Sequence, residues 1–308
     1  MDRARNPRTD TWSRRVDRIW GGGHFFLLLE LITFGVSAAI IRMLATSISI
    51  ETILFFRSLI TFLLISLFIA LSPAHRRLFF SPREYIAAPW IHLVRAVTGY
   101  GTVWAWSYSL TLIPLSSATF LYSSQSLFIL LLCLALFGER INWLQGISIL
   151  LCIFAIFIVT RPTLVTPLGS LMALTAAALS ALVTIQLRWI ASTSHPVGSL
   201  FVLMLFMTAI SAIPLLSDLP PLPNITDASL LIILSLLLAT SQFSLMIGLV
   251  RVGGPTTAIF AFGKVLVGVI VGITFFFEPV DPWLVCGAIV IFVAVSIDTV
   301  GARRRDDT

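Results

Sequence analysis

Between His24 and Val300 the chain holds ten apolar stretches, each near twenty residues long. The hydrocarbon core of a bilayer is about 30 Å thick, and a helix needs about 20 apolar residues to cross it. In lipid every backbone N–H and C=O must bond within its own segment, which makes each stretch a helix. The expectation is an all-α integral membrane protein with ten transmembrane helices. They fall at about 24–44, 51–71, 88–110, 114–137, 141–160, 167–187, 198–217, 228–250, 254–277 and 281–301. Composition agrees, with 58% hydrophobic and 11% charged residues, where a soluble domain carries about 25% charge. No small-residue cleavage site follows the first run, so no removable signal peptide is expected.

Turn residues separate the stretches. Ser72-Pro73 follows the second, Pro114 opens the fourth, Pro162 ends the fifth, and Gly253-Gly254-Pro255 divides the eighth from the ninth. Orientation follows from the positive-inside bias. With ten alternating helices, fifteen arginines fall on one side: six in the N-terminal arm, Arg76, Arg77 and Arg83, Arg140, Arg188, Arg251, and three in the tail. The other side has Arg42 and Arg161. Both termini are therefore expected in the cytoplasm. The arm, residues 1–23, spaces Trp12, Val16, Ile19 and Trp20 as an amphipathic helix would, although a disordered arm would set topology equally well. The net charge of +6 does not point to nucleic acid, because the charges sit at span ends. Cys133, Cys152 and Cys286 lie in apolar runs without metal-ligand spacing, so no metal and no cofactor are expected.

The chain repeats. Ser117-Ala118-Thr119-Phe120, Gly138-Glu139, Trp143 and Gly146 recur as Thr257-Ala258-Ile259-Phe260, Phe277-Glu278, Trp283 and Gly287. Gln125 falls opposite Lys264. Each half would hold five helices, and five is odd, so the second half would insert upside down. Two inverted five-helix repeats about a midplane site are a transporter arrangement. The divisions are a 1–23 arm, repeats at 24–162 and 163–301, and a 302–308 tail.

Arg95, Tyr108-Ser109-Leu110, Ile113-Pro114-Leu115-Ser116, Ala118, Gly138-Glu139-Arg140, Gly146 and Arg161-Pro162 together resemble the EamA-type domain of the drug/metabolite transporter superfamily. Phe56-Arg57 fits the same pattern. The second copy departs from it, with Phe277-Glu278-Pro279 in place of Gly138-Glu139-Arg140. The resemblance implies ten helices, a cavity between the halves, a bacterial inner (plasma) membrane, and transport of small organic solutes. The layout is most similar to the S-adenosylmethionine uptake carriers of that superfamily.

Charges inside spans are costly and tend to face a partner or a wet cavity. Lys264, the one lysine of the chain, lies about ten residues into the ninth span, too deep to snorkel easily. No acid on a neighbouring late helix is an evident partner for it. Glu30 and Arg95 lie at similar depth and are expected to pair or share a network; the alternative is that Arg95 snorkels to the headgroups. Arg57 could snorkel outward in the same way. Tyr100, Trp104 and Tyr108 recur every four residues and share one face of the third helix, offering stacking surface to a planar or cationic group, or ordinary packing. Tyr122 and Gln125, one turn apart on a polar fourth helix, are candidate ligands. Glu139 and Glu278 end the fourth and ninth helices as anchors or gate elements. At a helix C-terminus each opposes the macrodipole and calls for a compensating partner. Arg140 could serve Glu139, whereas Glu278 has no basic neighbour in sequence.

The function expected is secondary transport of small organic metabolites by alternating access. The substrate would carry an anionic or zwitterionic group, as an amino acid derivative or S-adenosylmethionine does, with a coupling ion or exchanged solute. A monomer or a dimer would serve, with the lipid bilayer as its surroundings. The alternative is a passive channel or a non-transporting assembly subunit. An enzyme is not expected: no HExxH or HxxxD spacing occurs, nor a phosphate-binding GxxxxGK[ST] loop.

Overall fold

The structure is a computed structural model that describes residues 23–72, 89–137, 166–191, 195–216 and 223–279, with isolated positions in 143–155 and 282–297. The arm up to residue 22, the tail, Glu139 and Arg140 lie outside the described residues, as do most of the fifth and tenth expected spans.

Among the described residues every regular element is helical. They are α1 (Gly23–Leu44), α2 (Ile50–Leu71), α3 (Pro89–Leu112), α4 (Leu115–Ser123), α5 (Gln125–Phe137), α6 (Pro167–Ala191), α7 (Pro196–Ala212) and α8 (Ile225–Phe276), with a 3₁₀ turn at Ile213–Leu216. Among the described residues five stretches are long and apolar enough to cross a bilayer: Gly23–Leu44, Ile50–Leu71, Pro167–Leu187, Pro196–Leu216 and Ile225–Leu249. α3 has the length but is more polar, since it carries His92, Arg95 and two tyrosines.

Side-chain chemistry sets several starts. Ser49 caps α2 by accepting from Thr52 N–H at 3.3 Å. Asn224 caps α8 by accepting from Asp227 N–H at 2.8 Å. α7 begins at Pro196, whose missing N–H and fixed φ suit a first helical position. The expected fourth span is not one helix. It breaks at Ser124 into α4 and α5. Ser123 and Ser124 turn their hydroxyls back onto the carbonyls of Thr119 (2.8 Å) and Leu121 (2.6 Å). Such back-bonding competes with the helical ladder and bends it.

α8 runs for 52 residues, and at 1.5 Å per residue a straight rod would be about 78 Å long. Its contacts show that it doubles back. Asp227 accepts a hydrogen bond from Ser47, just past the end of α1, at 3.0 Å. Gly248 lies against Gly23 and Leu27 at the start of α1, Gly263 against Leu31, Gly35 against Val267, and Glu278 bonds Arg42. The chain therefore runs antiparallel to α1, reverses between Leu249 and Gly263 where Gly253-Gly254-Pro255 lies, and returns parallel to α1. The two limbs match the eighth and ninth expected spans.

The returning limb packs through small residues. A Cβ on Gly35 would overlap Val267, and one on Gly268 would overlap Thr119 of α4. Without these side chains the backbones of α1, α4 and the returning limb come close enough for dense packing. The main apolar core lies among α1, α2, α3, α4, α6 and α8, and holds Leu44, Ile53, Phe120, Leu121 and Leu234. A second core, with Ile65, Ile69, Ala96, Met204 and Met207, joins α2, α3 and α7. The returning limb ends on Phe277, whose φ of 51° is left-handed, and Glu278 N–H closes the turn onto Gly272 C=O at 3.1 Å.

Gly268→Ala is expected to lower stability by about 1–3 kcal/mol, the usual cost of overpacking a core contact. Gly146 has open space around its Cβ position, so Gly146→Ala is expected to be neutral or stabilising by up to about 1 kcal/mol. Thermal unfolding of the two variants in detergent checks the contrast.

Candidate functional site

The glycine contacts on either side of Lys264 bring its helix against Glu30. Lys264 Nζ lies 3.0 Å from Glu30 Oε1, and both side chains are about nine-tenths buried or more. The ammonium also lies 4.6 Å from the centre of the Phe34 ring and 5.7 Å from that of Tyr122. Those rings stack at 5.5 Å, and Trp106 packs on Phe34 at 5.4 Å and on Tyr122 at 4.8 Å. The lysine is thus held by one carboxylate and two π faces, each attractive to a cation. A polar chain leads away from it. Tyr122 Oη donates to Ser180 Oγ at 2.8 Å, and Ser180 donates to Gln125 Oε1 at 2.6 Å. The break at Ser124 lies between Tyr122 and Gln125.

Lys264 has its acidic partner on the first helix, and not on a late one. One expectation is corrected. Glu30 does not pair with Arg95. Equal depth placed those two at one level, but Glu30 faces the returning limb of α8, while Arg95 faces α7 and the first limb of α8. Arg95 donates to Ser199 Oγ and to Gln242 Oε1, each at 3.2 Å. At 2% exposure it does not snorkel. Arg57 is buried too, at 4%, and its Nε has no partner among the described residues. Its carbonyl accepts from Thr61 at 2.6 Å and from Ser235 of α8 at 3.2 Å.

The aromatic stripe of α3 divides. Trp104 and Tyr108 stack at 5.5 Å, nearly parallel, and Trp104 Nε1 donates to Glu51 Oε1 at 3.2 Å. Tyr100 packs instead at the edge of the α2–α3–α7 core. Glu51 opens α2, and sequence reading passed over it as a boundary residue.

At the far end of the returning limb, Glu278 meets Arg42 in an ion pair. It also accepts from Leu115 N–H at 2.7 Å, Ser116 N–H at 3.1 Å and Ser116 Oγ at 2.9 Å. These are the first residues of α4, whose N-terminus carries partial positive charge. The carboxylate that ends one helix thus caps the start of another, which supplies the compensation its own helix end demands. Burial alone would raise its pKa. The two backbone N–H groups, Arg42 and the Ser116 hydroxyl outweigh that and hold it below the ordinary carboxylate value.

Residues 21–161 match the EamA-like transporter family. By similarity these residues, less than half of the chain, make up an EamA-like domain. The family is one of membrane transporters of small molecules, and with several helices long and apolar enough to cross a bilayer the chain is a multi-pass membrane protein. No curated protein matches the chain. A solved structure described only as a protein crystal structure superposes with a TM-score of 0.58 at 16% identity, over 90% of this chain and 98% of its own. At that identity the likeness is one of fold, and it extends well past the EamA-like domain.

Of the residues singled out in the sequence, Glu30, Tyr122, Gln125 and Lys264 gather at one place, and all but Lys264 belong to the EamA-like domain. Arg57, Arg95, Tyr100, Trp104 and Tyr108 occupy other contacts, and Glu278 lies at a helix end. Phe34, Trp106 and Ser180 were missed because an aromatic or a serine in an apolar span reads as packing.

The Glu278 contacts carry a pH signature. A carboxylate with a lowered folded pKa contributes stability above its unfolded pKa, about 4.3, and that stability is lost as pH falls through the folded value. Glu278→Gln should melt lower than wild type at pH 7, with the gap closing below about pH 4.5. A gap of constant size down to pH 3 would mean that the carboxylate charge contributes nothing.

Proposed function

We propose that the chain is a secondary transporter that moves a small organic metabolite by alternating access. Its ten helices form two inverted five-helix repeats, 24–162 and 163–301, in a bacterial inner membrane with both termini cytoplasmic. The observation that carries the reading is the buried Lys264–Glu30 pair inside a box of aromatic rings, next to a broken helix. Broken helices and intramembrane charges are the parts from which transporters build midplane sites.

The pair suits a zwitterionic solute. With no substrate bound, lysine and glutamate neutralise one another, so the site reorients without a naked charge in low dielectric. A solute with a carboxylate and an ammonium group replaces each partner: its carboxylate meets Lys264 and its ammonium meets Glu30. Phe34, Tyr122 and Trp106 offer faces to a planar or cationic remainder, and Gln125 with Ser180 offers hydrogen bonds. Amino acid derivatives have this form, S-adenosylmethionine among them. Trp104, Tyr108, Tyr100 and Arg57 are placed along the path as lining. Glu278 with Arg42 serves as a gate at the outer end, and Glu139 is assigned the corresponding part at the inner end. An ion gradient or an exchanged solute drives the cycle. One monomer holds both halves of the path, and a dimer would hold two.

Counterflow of amino acid derivatives into proteoliposomes tests this. Lys264→Ala and Glu30→Gln are each expected to abolish saturable counterflow. Each should also destabilise the fold by about 3–5 kcal/mol, since either leaves an unpaired buried charge. The exchange Glu30→Lys with Lys264→Glu is expected to recover most of the stability but not the transport, because the two charges then face the wrong ends of the solute. Wild-type counterflow in Lys264→Ala would overturn the assignment of the site.

A further inference from the structure

Arg95 differs from Lys264 in one respect: among the described residues it is buried without an acid. The residue is 2% exposed, and both of its hydrogen-bonded partners, Ser199 and Gln242, are neutral. Its Nε has no partner among the described residues. A buried charge left unpaired costs several kcal/mol, so a site of this kind calls for a counter-ion.

Both hydrogen-bonded neighbours keep donor capacity. Ser199 and Gln242 use their oxygens to accept from Arg95, which leaves the Ser199 proton and the Gln242 amide N–H groups to donate onward. Neither has a further partner among the described residues. His92 lies three residues before Arg95, on the same face of α3. It is wholly buried, and neither ring nitrogen has a hydrogen-bond partner. Ser199 stands in the first turn of α7, which has no acidic residue there, so the positive end of that helix dipole adds to the guanidinium. Ala96, next to Arg95 in the chain, belongs with Leu203 to one apolar core, and Leu187 and Met246, on the helices of Gln186 and Gln242, belong to another.

We propose that Arg95, Ser199, Gln242 and His92 form a binding site for a small monovalent anion, separate from the Lys264–Glu30 site. One guanidinium charge is balanced by one negative charge, and a ring of hydrogen-bond donors replaces the hydration shell of the ion. The site takes a halide or a compact carboxylate. It stands whether or not the Lys264–Glu30 pair binds the transported solute.

The test uses the full-length protein purified in detergent, with chloride as the probe in a sodium gluconate background at constant ionic strength. Acetate is the oxyanion arm. Unfolding temperature is followed against anion concentration, and chloride binding is read directly from ³⁵Cl line broadening. Wild type is expected to show a saturable rise with chloride, which Arg95→Gln abolishes. Ser199→Ala keeps the charge and removes one donor, so it is expected to raise the half-saturating chloride by about fivefold. A response to chloride alone assigns a halide, and a response to both anions assigns a monovalent site open to carboxylates. If Arg95→Gln does not fold, Ser199→Ala decides. No saturable response to either anion in wild type overturns the proposal, and so does wild-type affinity in Ser199→Ala.

Discussion

The Lys264–Glu30 pair is the constraint around which the rest of the structure is arranged. Attraction between opposite charges grows as the dielectric falls, but so does the cost of removing each from water. The pair is tolerable where it is because further groups share the load. Phe34 and Tyr122 turn ring faces to the ammonium, and Trp106 holds both rings in place. The glycine contacts set the approach of the two helices. Without the clearances at Gly35 and Gly263, α1 and the returning limb of α8 would stand too far apart for a 3.0 Å contact.

The same close packing reaches the far end of the returning limb. Gly268 admits Thr119, and Gly272 lies against Glu278 and Ser116. The limb that carries Lys264 is therefore tied to α4 beside its N-terminus and to α1 along its length. Glu278 completes the tie by joining Arg42 of α1 to the first N–H groups of α4. A shift of the returning limb would disturb the buried pair and the end contact together.

The element pattern was legible in the chain, because span length is fixed by bilayer thickness and the residues at span ends are turn formers. Expected and observed limits of α1 and α2 agree to within a residue. The site was legible in part. Depth along a helix follows from counting residues, so Glu30, Arg95 and Lys264 were each recognised as intramembrane charges. Direction around the helix axis does not follow from counting across helices whose packing is unknown, and so Glu30 was matched with Arg95 instead of Lys264. Gln242 and Ser199 carried no signal, since a neutral polar residue in a span is common. Ser124 as a break point was equally silent, because serine is tolerated in helices until its hydroxyl finds a nearby carbonyl.

The sequence by itself determined that this is a helical membrane protein, where several of its spans lie, and that a few charged residues must be held inside them. These are local properties: hydrophobicity, length and the price of a charge in hydrocarbon belong to each segment alone. Tertiary structure decided which charge meets which. It folded Ile225–Phe276 back on itself, set Lys264 opposite Glu30, and set Arg95 against the neutral Ser199 and Gln242. Pairing depends on how helices are rotated and how close they come, and that is settled by glycines and side-chain shapes contributed by several segments at once.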